Sequence, residues 1–160
     1  MRVLTGSPDR ETRAAADLIQ REHAVIYGLA AGGGRLAAAA ASAAAVGAVD
    51  GSFDAHRLRR DQLTEVLRQR GAAIPAAEPA YLLPPATDAI GTATFLADLE
   101  DGTSAAYDAA LDDFVDPALR RLAVAAVRDG ARFRTRLLLA LGRPASEAAH
   151  VLPGRAGSLS

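Results

Sequence analysis

The chain has 160 residues, enough for one domain with a sizeable core. Ala supplies 39 of them, Arg 18 and Lys none, half are hydrophobic and only 4% aromatic, which predicts an all-α protein and excludes a β-sandwich or barrel. The absence of cysteine excludes disulfide scaffolds, zinc–thiolate sites, iron–sulfur clusters and cysteine nucleophiles, and a net charge of −1 supplies no drive toward nucleic acid or a membrane surface.

Ser7 followed by Pro8 reads as an N-cap and first helical position, with Asp9 and Glu11 near the positive helix end. A first helix is expected from about Pro8 to the break at Gly32-Gly33-Gly34, resuming through the alanines to about Val46. The N-terminus shows no apolar core of signal-peptide length. The longest apolar run, residues 36–49, is mostly alanine and shorter than the roughly 20 residues that span a bilayer. A cytoplasmic protein without membrane association is therefore expected.

Residues 47–52 are expected as a turn, and a second helix from Ser52 to Gly71, a natural C′ residue. Its charged residues, among them Arg57, Asp61, Glu65 and Arg68, pair at helical spacing and read as a solvated face. Residues 72–85 contain Pro75, Pro79, Pro84 and Pro85 and cannot be helical throughout. Extended at about 3.3 Å per residue, such a segment reaches roughly 40 Å, the length of a bundle. A third helix is expected from Thr87 to Phe114. A fourth should start at Asp116-Pro117 and run to Leu141, ended by Gly142 and Pro144. The organisation is one helical bundle over residues 1–142 and a flexible C-terminal tail over 143–160. Four long helices with the long crossover between helices 2 and 3 predict a ferritin-like four-helix bundle.

Such a bundle holds two metal ions when two helices each carry a Glu and the other two each carry a Glu-x-x-His pair. This chain has few of these ligands: Glu11, Glu22, Glu65, Glu78, Glu100 and Glu147, with His23, His56 and His150. The single Glu-x-x-His match, Glu147 to His150, lies in the expected tail and reads as a chance match. Glu22 sits among Leu18, Ile19, Val25 and Ile26 on an apolar face. Glu100 lies one turn from Leu96 with Tyr107 further along the same face, and His56 opens a face continuing to Arg60, Leu63 and Leu67. His23, a third of a turn from Glu22, reads as a half-exposed helical histidine.

Two readings follow from the three buried positions. In one, Glu22, His56 and Glu100 are a reduced ligand set for iron or manganese, metals suited to carboxylate and imidazole. In the other they form a buried polar network neutralised by Arg59, Arg60 or Arg128 and completed by Tyr27 and Tyr107, with no cofactor. The fourth helix favours the network. It holds six arginines and Asp129, but no Glu or His. Its stripe Arg128, Arg132, Arg136 lacks interleaved aromatics and follows Asp112, Asp113 and Asp116, so no nucleic-acid partner is expected. The triple glycine is no phosphate loop, since no Gly-Lys-Ser/Thr follows it.

Several stretches resemble a known family: Glu22-His23-Ala24-x-x-Tyr27-Gly28, then His56-x-x-Arg59-Arg60-Asp61-x-Leu63 with Gly71 and Pro75, then Tyr81-x-Leu83-Pro84, and Leu99-Glu100 with Tyr107. They are similar to an uncharacterised ferritin-like family of actinobacteria, short alanine-rich proteins grouped as a domain of unknown function. The resemblance covers roughly residues 8–142. It implies a ferritin-like four-helix fold and a dimer, and it supplies no catalytic residues. The expectation is thus a non-catalytic structural or interaction protein acting as a homodimer. The alternative is a metal-binding redox protein using Glu22, His56 and Glu100.

Overall fold

The computed structural model describes residues 8–86 and 88–148. Its elements are helices α1 Pro8–Ala38, α2 Ala43–Gln69, α3 Ala89–Ala110, α4 Pro117–Ala140 and the single turn α5 Ala145–Ala148. The expected capping role of Ser7 and the Glu147–His150 pair involve positions outside the described residues, as does Thr87.

The break between the first two helices lies elsewhere than the glycines suggest. Helix α1 runs unbroken through Gly32-Gly33-Gly34. The chain turns instead at residues 39–42, where Ala40 takes a positive φ of 53° and the Ser42 side chain accepts from the Ala45 backbone N–H as an N-cap. The expected turn at 47–52 is therefore helical. The glycines have a different use on the α3 side. A Cβ on Gly32 would stand 2.6 Å from a Leu96 methyl, and one on Gly28 would stand 2.6 Å from a Leu99 methyl. Both glycines let α1 and α3 approach closely. Gly34, by contrast, has nothing within 4 Å. Gly32→Ala is expected to destabilise by about 1–2 kcal/mol net of its helix-propensity gain, because Leu96 is fully buried and has no room to shift. Gly34→Ala should stabilise by up to about 1 kcal/mol. Paired urea melts of the two variants check the contrast.

Helix α3 begins after Asp88, whose carboxylate caps Gly91 N–H, and ends at Ala110, four residues earlier than expected. A turn follows, and Phe114 drops into the core with no exposure. Asp116 and Pro117 start α4 as cap and first helical residue. Part of the segment expected as a tail is ordered: α5 packs on α4, with Ala148 buried and its carbonyl accepting from Arg134 and Thr135.

Each long helix touches two others. α1 packs on α2 and α3, α4 packs on α2 and α3, and the diagonal pairs make no close backbone approach. All four contacts are antiparallel. The end of α2 returns to the start of α1, where Arg70 pairs with Glu11. The α3 residues Tyr107 and Leu99 lie beside Glu22 and Gly28 of α1 in descending order. Helices α2 and α3 consequently run parallel across the diagonal, and residues 71–88 carry the chain back between them. This crossover lies along α1, with the Pro75 carbonyl on the His23 ring, Tyr81 packed on Tyr27, and the Pro84 carbonyl accepting from Arg35. Glu11 ties the opposite end together. Its carboxylate accepts from the Val115 and Asp116 backbone N–H groups and from Arg70. Burial works against its charge, yet these donors hold its pKa below the usual value.

The core has two apolar layers. One is built on Leu18, Ile19, Leu63, Leu67, Phe114 and Leu119, the other on Val25, Leu29, Val49, Leu96, Phe133 and Leu137. Charged side chains lie between the layers. No helix among the described residues is long and apolar enough to cross a membrane.

Candidate functional site

At mid-height three helices contribute one polar residue each to the bundle axis: Glu22 from α1, His56 from α2 and Glu100 from α3. Glu22 and His56 are fully buried and Glu100 is 2% exposed. Each falls on the inward stripe of its helix, so the periodicity that buries the leucines also buries these three.

The imidazole of His56 lies between the two carboxylates. Nδ1 donates to Glu22 Oε2 at 2.6 Å and Nε2 donates to Glu100 Oε1 at 2.9 Å. Only the imidazolium offers two N–H donors. Burial opposes the charge on His56, but the hydrogen bonds and negative charges of Glu100 and Glu22 prevail and raise its pKa above the ordinary 6.5. Burial likewise pushes Glu100 up. The His56 hydrogen bond and charge, the Ser52 hydroxyl and the Arg59 charge together bring it below its ordinary value.

The remaining positions are filled from neighbouring turns. Tyr107 donates its hydroxyl to Glu22 Oε1 at 2.5 Å, and Arg59 Nε donates to the same oxygen at 3.4 Å. Ser52, one turn before His56, donates to Glu100 Oε1 at 2.5 Å. The phenol of Tyr107 is pushed well above its usual pKa, first by burial and then by the Glu22 charge, so it remains a donor. Two carboxylates thus face two cations, and the layer is charge-balanced. Tyr107→Phe removes one donor from Glu22 and leaves the ring packing unchanged. A loss of about 1–3 kcal/mol is expected, because the acceptor is a buried carboxylate. Chemical denaturation of the variant measures it.

Of the expected network partners, Arg59 and Tyr107 reach the layer and three do not. Arg60 turns outward to Asp61, and Arg128 lies in solvent beside Asp129. Tyr27 is 39% exposed and packs on Tyr81. Helical phase is the reason: Tyr27 and Arg128 lie on the far side of their helices from the buried stripe, and Arg60 lies at the edge of its stripe, a few tens of degrees off. Ser52 was not foreseen, although its spacing of four residues before His56 places it on the same face. Nor was Gly130 of α4. A Cβ there would clash with Ser104 Oγ and stand 3.2 Å from Glu100 Oε2, so a glycine is what lets α4 close over the layer.

The donor set is arranged for internal pairing. Both ring nitrogens of His56 point at carboxylates, and α4 brings a glycine where a fourth ligand helix would bring an acid or imidazole. No three His, Asp or Glu side chains among the described residues are placed to hold one metal ion.

These features define a class: an all-α bundle with antiparallel neighbours, a long crossover along its first helix and a charge-balanced polar layer at mid-height. The chain belongs to the family described as a domain of unknown function (DUF4439), which it matches over residues 14–157. Among solved structures it is similar to a conserved hypothetical protein from Mycobacterium tuberculosis, with 26% identity and a TM-score of 0.73. The match covers 82% of this chain and 97% of that one. No curated protein matches the chain.

Proposed function

We propose that this protein is a ferritin-like bundle whose metal chamber has been taken over by the chain's own cations, and that it works as a non-catalytic scaffold. In this reading it is a cytoplasmic homodimer that meets partners through its helical faces. The observation that carries the proposal is the position of His56, whose two ring nitrogens are committed to Glu22 and Glu100. A metal ion entering here would have to displace the imidazolium proton from at least one of two short, charge-assisted hydrogen bonds. It would also add positive charge to a layer already balanced by His56 and Arg59. The topology supports the ferritin-like assignment, since the crossover separates two antiparallel pairs and makes α2 and α3 parallel. The alanine-rich helix surfaces allow a second copy to approach closely.

The second reading is an iron- or manganese-binding protein with Glu22, His56 and Glu100 as ligands. It is favoured by one fact: two carboxylates and one imidazole converge from three helices at a single level. Metal analysis separates the two. The protein is produced with iron and manganese supplied, purified without chelators, and its metal measured by mass spectrometry. Background metal is expected. Near-stoichiometric iron or manganese that disappears in a Glu22→Gln/Glu100→Gln double variant would establish the second reading instead. Light scattering at tens of micromolar tests the dimer, and a monomer there overturns that part of the proposal.

A further inference from the structure

The outer surface of the bundle is unevenly covered. The crossover lies along α1, and α5 covers α4 on the side of Arg134, which also pairs with Asp101 of α3. The face formed by α2 and α4 carries no such cover among the described residues. An apolar groove of about 590 Å³ runs along it, with Leu58 and Val66 on the α2 side and Ala118, Leu122 and Ala125 on the α4 side. Leu58 is 60% exposed at its edge, next to half-buried Val66 and Leu122, so the apolar surface is continuous and not one stray leucine.

The two rims of the groove carry opposite charge. Along α4 stand Arg121, Arg128, Arg132 and Arg136, all exposed, and Asp129 among them is already shared by Arg128, Arg132 and Arg59. Along α2 stand Asp54, Asp61 and Glu65, all exposed. Asp61 and Glu65 pair with Arg60 and Arg68 of their own helix, and Arg57 lies over the Phe53 ring. Asp54 makes no ion pair among the described residues.

We infer, building on the homodimer proposed above, that two copies meet through this face about a two-fold axis parallel to the helices. Such an axis lays α2 of each copy on α4 of the other and keeps every residue at its own level along the bundle. Contacts within one chain fix those levels. Arg59 of α2 reaches Asp129 of α4, and Glu65 and Arg121 line the same end of the groove. The helices are antiparallel, so Asp54 stands at the level of Arg128 and Arg132. Asp54 and Glu65 are eleven residues apart and Arg121 and Arg128 seven, so each pair falls on one line of its helix. In the dimer Asp54 therefore meets the partner copy's α4 at Arg128, and Glu65 meets it at Arg121, while Leu58 closes over the alanines of the facing helix. An axis across the helices would instead set α4 on α4, with four arginines against four, and like-charge contact disfavours it.

Sedimentation velocity on the full chain at tens of micromolar tests the face by charge reversal. The wild type is expected to be a dimer. Asp54→Arg and Arg128→Asp should each raise the dimer Kd at least about a hundredfold, with circular dichroism unchanged because both positions are exposed. The double variant Asp54→Arg/Arg128→Asp should recover most of the affinity, since the reversed pair is again of opposite sign. Arg13→Asp, at an exposed position on α1, should leave the dimer intact. A monomeric wild type overturns the homodimer reading itself and leaves this face to a different protein. A dimer that survives both single reversals, or that Arg13→Asp dissociates, keeps the homodimer and overturns this face. Single variants that dissociate without rescue in the double variant overturn the facing of α2 on α4.

Discussion

His56→Leu is expected to lower stability by about 3–5 kcal/mol, the range seen when one partner of a buried charge set is removed. Leucine fills much of the volume of the imidazole but donates nothing. Glu22 and Glu100 would then face each other across an apolar side chain, with Arg59 as the one cation left in the layer. Two buried carboxylates sharing one positive charge cannot both stay ionised, so one must take up a proton at neutral pH. The variant should therefore be most stable at acidic pH, the reverse of an ordinary acid-labile bundle. Urea melts at neutral and acidic pH test both parts, with an unchanged m-value showing that the fold survives. A loss under about 1 kcal/mol would mean that His56 does not hold the carboxylates together. Replacing Glu22, His56 and Glu100 together by leucine, with Tyr107→Phe and Ser52→Ala to remove the hydroxyls that donate to them, should recover much of the loss, because the charge then left in the layer is Arg59, which can turn to Asp129.

How far such a layer can be read in advance depends on what carries the signal. Glu22 interrupts a run of leucine, isoleucine and valine at helical spacing, while His56 shares a face with Leu63 and Glu100 with Leu96, and a polar residue on an apolar stripe is visible without coordinates. Their partners are harder to find. Arg59 and Arg60 lie three and four residues after His56, both within reach of its face, and a few tens of degrees of helix phase decide which one is buried. Arg128 and Tyr27 are a plainer case, since both lie on the far side of their helices from the buried stripe. The helix ends show a similar division. Asp116-Pro117 and Gly71 announce themselves through cap chemistry, and both stand where the sequence places them. The first break does not. Residues 36–49 are helix formers on both sides of Ser42, so only the serine marks the turn, and the triple glycine offers a false alternative. Glycine weakens a helix only by what packing fails to return, and the close approach of α3 at Gly28 and Gly32 gives it a place in an unbroken helix. That approach is a tertiary fact and has no local signature.

The wild-type protein should show its highest stability in the mildly acidic range, with a limb falling on each side. His56 has a folded pKa above its ordinary 6.5, so its contribution is complete below that value. As pH rises past it, the unfolded chain releases the proton first while the folded layer keeps it. Folding stability then declines until the pH passes the folded pKa. Glu100 and Glu11 act in the opposite sense. Both are held below their ordinary value of 4.5, so they stabilise above it and their contribution is lost as pH falls. The plateau therefore lies between about pH 4.5 and 6.5, with a high-pH slope approaching about 1.4 kcal/mol per unit for one proton. Tyr107 does not blunt this limb, because its raised pKa keeps the phenol protonated throughout. Urea midpoints collected across this range measure the profile. In His56→Gln the high-pH decline attributable to this residue should vanish, since glutamine cannot carry the proton, while the acid limb set by Glu11 remains. Stability that is flat or rising from pH 6.5 upward in the wild type would show that His56 is neutral in the folded protein, and the charge balance assigned to the layer would be wrong.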